Sequence, residues 1–112
     1  MANVRGGGVG QRFAGRPEAQ RIRQLLGDST TFDFSPYHGA IDFAFIDACH
    51  DYAFVKSDTA NALRMVPRGV IVWHDYYPGW PGVVRAVDEL LPKHRIMHIA
   101  GTSLAVLDRS AD

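Results

Sequence analysis

"IDFAFIDACHDYAFVKSD", residues 41–58, changes its period halfway along. From Ile41 to Ile46 only Asp42 interrupts an apolar run, which reads as a strand covered on both faces, as in a parallel sheet. From Asp51 onward, Tyr52, Val55, Thr59, Ala62, Leu63 and Val66 follow helical spacing, while Lys56, Asp58, Asn61 and Arg64 point outward. At the join stand Asp47, Cys49 and His50. "RGVIVWHDYYPGW", residues 68–80, repeats the arrangement: a buried strand Val70–Trp73, then His74 and Asp75, then a rigid aromatic loop.

Working outward, Pro67 and Gly69 stop the first helix. Pro81 opens a second helix over about residues 82–91, with Val83, Val84, Val87, Leu90 and Leu91 inward, and Pro92 ends it. "RIMHIA", a Gly-Thr turn and "SLAVLD" then pair as an antiparallel hairpin. Strand, helix, strand, helix and hairpin make an α/β sheet with parallel central strands. Upstream, "PEAQRIRQLLGDS" (17–29) begins as a helical turn and runs into either helix or strand, since Ile22, Gln24 and Leu26 also alternate. Residues 1–16 hold five glycines and read as a flexible N-terminal arm, leaving 17–112 as a single α/β domain. Their "GGGVG" (6–10) is not a phosphate loop, which needs a strand before it and a helix after it.

Twelve basic and twelve acidic residues cancel, so no net field draws nucleic acid or anionic membrane to the chain. No apolar run is long enough to span a bilayer. Cys49 is the one cysteine, so no intramolecular disulfide forms. That suits a reducing, cytoplasmic setting.

Ligands of open α/β sheets bind outside the carboxyl ends of the strands, so Asp47, His50, His74 and Asp75 are expected to share one crevice. A carboxylate beside an imidazole can relay a proton. Asp47, His74 and Asp75 together offer mixed oxygen and nitrogen ligands open to magnesium, manganese, iron or zinc. Simpler roles exist for each. Asp47 and Asp75 can cap a following helix or turn, His50 can be a surface residue, and Cys49 a small buried side chain. Trp73, Tyr76, Tyr77 and Trp80 can wall a pocket, with Trp73 the one suited to the core and Trp80 to the pocket.

With these residues in view, the sequence resembles the carboxyl-terminal part of a class I S-adenosylmethionine-dependent methyltransferase. "FIDACHDY" is similar to that family's Phe-Ile-Asp-Gly-x-His-x-Tyr at the end of its fourth strand, with Ala48 in place of glycine. "GDS" (27–29) resembles the turn after the third strand. "VPRGVIVWHDY" resembles the run into the fifth strand, "PGVVRAVDEL" the helix after it, and "IAGTSLAVL" the closing hairpin. The resemblance covers about residues 10–108. It implies a truncated Rossmann-like fold in which Asp28, Ser29 and Asp47 bind S-adenosylmethionine, with Asp28 and Ser29 near the adenine. It also implies a divalent cation at Asp47, His74 and Asp75, and His50 as the base for an acceptor hydroxyl on a small molecule. A histidine in the fifth-strand pair departs from the commoner acid-acid or acid-amide pair, which puts magnesium in question. The family's first strand, Gly-x-Gly loop and ribose-binding acid have no counterpart in these residues. The flank of Ile41–Ile46 is therefore expected to be filled by residues 21–27 or closed by a homodimer. Three functions follow: a small O-methyltransferase, a non-catalytic dimeric binding module, or a metal-binding protein that works without S-adenosylmethionine.

Overall fold

A computed structural model describes residues 11–110; the glycine run and most of the expected arm (1–10) lie outside the described residues, as do 111–112. Strands β1 (Phe43–Ile46), β2 (Val70–Trp73), β3 (Ile96–His98) and β4 (Ala105–Asp108) form one sheet in the order β1-β2-β4-β3. β1 and β2 run parallel, while β4 is antiparallel to both β2 and β3. Helix α1 (Tyr52–Met65) connects β1 to β2, and α2 (Pro81–Asp88) follows β2. This is the expected truncated Rossmann-like arrangement with an antiparallel hairpin, except that the parallel pair lies at one edge of the sheet rather than at its centre.

Sequence accounts for the element boundaries. Helix α1 presents Val55, Thr59 and Ala62 to the interior, a helical stripe. Arg109 donates from its guanidinium to the carbonyls of Leu63 (2.9 Å) and Val66 (2.8 Å), satisfying the otherwise unpaired end of α1. Pro81 sits in the first turn of α2, where its missing N–H costs nothing. Helix α2 ends at Asp88, earlier than the spacing predicts, and turns bonded onto Val87, Asp88 and Leu90 carry the chain to Lys93. In the hairpin, Gly101 takes φ +78°, a left-handed turn position that glycine adopts without cost.

The register fixes which strand residues share a face. Ala44 aligns with Ile71, Ile46 with Trp73, Ile71 with Leu107, and Trp73 with Ala105. Ile71, Trp73, Ala105 and Leu107 are buried together with Val55, Ala62 and Val66 of the α1 segment and Val83, Ala86 and Val87 of α2. Both helices therefore cover the same face. The opposite face carries Phe43, Phe45, Val70, Val72, Val106 and Met97, with Phe43 58% and Phe45 51% exposed. This corrects the reading of residues 41–46 as a strand covered on both faces. An apolar run fits a two-sided strand and a one-sided strand with an uncovered apolar face equally well.

A second correction concerns residues 21–27. Pro17–Arg21 form a 3-10 turn and Ile22 is extended (φ −111°, ψ 125°). Residues 22–26 are exposed and pair with no strand. They do not fill the place beside β1, and among the described residues the outer edge of β1 is unpaired.

Candidate functional site

The β1–β2 ladder continues one step past the end of β2, where the His74 N–H donates to the Ile46 carbonyl at 3.0 Å. That bond sets His74 beside the residue after Ile46, which is Asp47. His74 Nδ1 lies 3.2 Å from Asp47 Oδ1 and 3.0 Å from Asp75 Oδ1. Despite these distances Nδ1 is buried and makes no hydrogen bond of acceptable angle. One ligand atom from each of Asp47, His74 and Asp75 falls within 4.8 Å of the others. Two carboxylates so close repel unless something positive lies between them. A proton on His74 or a cation meets that need.

Asp75 turns back toward this cluster by adopting φ +62°, the only positive φ at a non-glycine among the described residues. Aspartate tolerates this conformation better than most side chains, yet it still costs free energy. Such outliers concentrate at functional sites. The turn is held by the Tyr76 N–H, which donates to Ser103 O at 2.8 Å. Asp75 uses its two oxygens differently. Oδ1 faces His74, whereas Oδ2 lies 2.6 Å from His50 Nε2. Burial alone would push the Asp75 carboxyl up, but the imidazoles of His50 and His74 outweigh it, and the group titrates below the usual carboxylate range.

His50 is fixed on two sides. Its ring stacks on Trp80 with centroids 3.7 Å apart and an interplanar angle of 13°. Its backbone lies against the start of α2, where a Cβ on Gly82 would come within 2.5 Å of the His50 carbonyl. Glycine at 82 thus lets α2 approach the loop that carries the imidazole. Trp80, the residue suited to a pocket wall, is exposed at the surface and packs on the His50 ring. Trp73 is core, fully buried, and donates from its indole N–H to Thr59 Oγ1 at 2.9 Å. Tyr76 is tied to Asp88 (2.7 Å), which raises its hydroxyl pKa, and Tyr77 is exposed. Among the hydrogen bonds of the described residues, neither the Asp47 nor the Asp75 carboxylate caps a backbone N–H, so capping does not explain either acid. Cys49 is half-buried and stands outside the donor cluster.

A groove of about 210 Å³ runs along β1, lined by Ser29, Phe34, Phe45, Asp47, Asp58 and Asn61, among others. It joins Ser29 and Asp47, eighteen positions apart, which the family resemblance implies for one ligand. Ser29 Oγ and Asp58 Oδ1 are both buried and without hydrogen-bond partners. Unpaired buried polar atoms are few in folded proteins, and these two are free to bond a ligand in the groove. Asp28 is not among the groove residues. Its Oδ1 accepts from the Thr30 hydroxyl (2.7 Å) and backbone N–H (2.9 Å), bonds that lower its pKa.

Helical spacing predicts Asp58 and Asn61 on the outer face of α1, and the structure instead half-buries both on its flank beside β1. Their signal was present in Asp58, Asn61, Ala62 and Met65, spaced i, i+3, i+4, i+7. That stripe lies alongside the more apolar one.

No helix among the described residues is long and apolar enough to cross a membrane. A family model described as a methyltransferase domain matches residues 5–76, more than half of the chain. Neither a curated protein nor a solved structure gave a match. The chain therefore belongs to the class I S-adenosylmethionine-dependent methyltransferase-like family, of whose domain it represents a part.

Proposed function

We propose that this chain serves methyl transfer from S-adenosylmethionine to a hydroxyl oxygen of a small molecule, at the crevice formed by the ends of β1 and β2. The observation that carries the proposal is the convergence of Asp47, His74 and Asp75 within 4.8 Å, with His50 bonded to the far oxygen of Asp75.

The groove along β1 supports a place for part of the methyl donor. At about 210 Å³ it falls below the roughly 300–1,000 Å³ usual for a whole drug-sized ligand, and so suits the heterocyclic end. Ser29 Oγ and Asp58 Oδ1, both unpartnered, can accept hydrogen bonds from an exocyclic amine there. Asp47 stands at the boundary between groove and crevice. When bound, S-adenosylmethionine supplies the electrophilic methyl group.

Asp75 Oδ2 accepts from His50 Nε2, which assigns the proton to Nε2 and leaves the Nδ1 lone pair for an incoming hydroxyl. An aspartate that orients the histidine and stabilises its charged form is the general logic of an acid–histidine dyad. Stacking on Trp80 restricts rotation of the ring. As the acceptor oxygen gains the methyl group, its proton passes to His50 Nδ1. His50 is accordingly the base, and Asp75 positions it. Asp47, His74 and Asp75 fit a divalent cation, because the 3.0 and 3.2 Å donor separations match the spacing of adjacent ligands at about 2.1 Å from one ion, about 3.0 Å. A cation held there supplies stabilisation of the oxyanion that develops on the acceptor.

A second reading, a dimeric binding module without catalysis, is favoured by the uncovered apolar face and the unpaired edge of β1. A homodimer is compatible with either reading, as is a cytoplasmic setting. Titration calorimetry with S-adenosylmethionine on the full chain separates the two. Enzyme function predicts saturable binding with a Kd of about a millimolar or tighter, weakened in Ser29→Ala and Asp58→Ala. A folded sample that produces no heat contradicts the enzymatic reading.

A further inference from the structure

We infer that the Asp47–His74–Asp75 cluster selects a nitrogen-accepting divalent transition ion, of the cobalt, zinc or iron(II) type, over magnesium. This rests on the cation reading above and goes beyond it by assigning the class of ion. The central donor is an imidazole nitrogen. His74 Nδ1 is buried, makes no hydrogen bond, and lies 3.2 and 3.0 Å from one oxygen of each flanking carboxylate. Magnesium is a hard ion that holds its water and favours oxygen ligands. Imidazole nitrogen suits zinc, iron and nickel, and two carboxylates beside it supply charge without overriding that preference. The neighbouring thiol, Cys49, is outside the cluster, so the softest ions gain no sulfur ligand.

The surroundings prepare this donor set. The ladder bond from the His74 N–H to Ile46 O fixes where the imidazole stands relative to Asp47. Asp75 presents Oδ1 to His74 only because its backbone accepts φ +62° and its Oδ2 is held by His50 at 2.6 Å. An outer partner of this kind orients a ligating carboxylate, and its loss typically costs about 10–100-fold in metal affinity.

The test loads the metal-free full chain with cobalt(II) and reads the visible d–d absorption, then challenges it with magnesium or zinc. One cobalt should bind per chain. Zinc should abolish the spectrum, whereas magnesium at about a hundredfold excess should leave it intact. His74→Ala should weaken cobalt binding about tenfold or more. His74→Asp, an all-oxygen set, should let magnesium compete, with circular dichroism confirming that each variant is folded. If magnesium displaces cobalt at comparable concentration from the unaltered protein, the assignment of ion class is wrong while the site stands. If a folded sample binds none of the three cations, the site itself is wrong and the inference falls with it.

Discussion

Asp75 combines a left-handed backbone, two imidazole neighbours and a depressed carboxyl pKa in one side chain. These contributions can be separated by substitution. Asparagine shares aspartate's tolerance of φ near +60°, whereas alanine does not, so Asp75→Ala should be about 1 kcal/mol less stable than Asp75→Asn in urea unfolding. The charge shows itself through pH. Because the folded-state pKa is lowered, the stability due to the ionised carboxylate is fully present above the ordinary aspartate value and is lost as pH falls through the folded value. The stability advantage of the unaltered chain over Asp75→Asn should therefore hold at neutral pH and vanish in strong acid. A constant difference across that range would show that the imidazoles do not stabilise the carboxylate. At this scale much was legible in the sequence. Asp47, His50, His74 and Asp75 stand directly after apolar runs, and parallel pairing brings such residues together. The left-handed turn at Asp75 was not legible, because aspartate is extended or helical far more often than left-handed.

Among the elements, the contact between α1 and β2 depends on one polar pair inside an apolar interface. Trp73 is fully buried, and its indole N–H has Thr59 as acceptor. Thr59→Val keeps the shape and leaves that N–H without a partner. This should cost about 1–3 kcal/mol, read as a lower urea midpoint at unchanged slope. A shift below a few tenths would mean that the indole finds another acceptor. The helical spacing of Val55, Thr59, Ala62 and Val66 announced α1 well, since burial on one face leaves a period of 3.6. It concealed the second use of the helix. Asp58 and Asn61 sit on the flank of that stripe, and a polar residue on a flank reads as solvated until a neighbouring loop, here around Ser29, closes over it.

At the scale of the whole molecule, the described residues place helices on only one face of the sheet. Parallel strands ordinarily have both faces covered, yet Phe43 and Phe45 remain more than half exposed, and Met97 is 48% exposed. Apolar composition could not reveal this, because a strand's sequence records that its side chains avoid water and not which layer covers them. Association is the expected consequence. Sedimentation velocity should show a concentration-dependent dimer, and Phe43→Lys should shift it toward monomer while changing stability by no more than about 0.5 kcal/mol. A monomer at every concentration would contradict association through this face and edge.

The central claim is that the ends of β1 and β2 deliver their acids and imidazoles to a single point. Manganese(II) tests it directly, since its unpaired electrons broaden the NMR signals of nearby amides. Titrating the isotope-labelled chain with manganese should broaden residues 47–50 and 74–75 together, along one binding curve, with both effects lost in Asp47→Ala. Broadening confined to one strand end, or two curves with different midpoints, would show that these residues do not form one site.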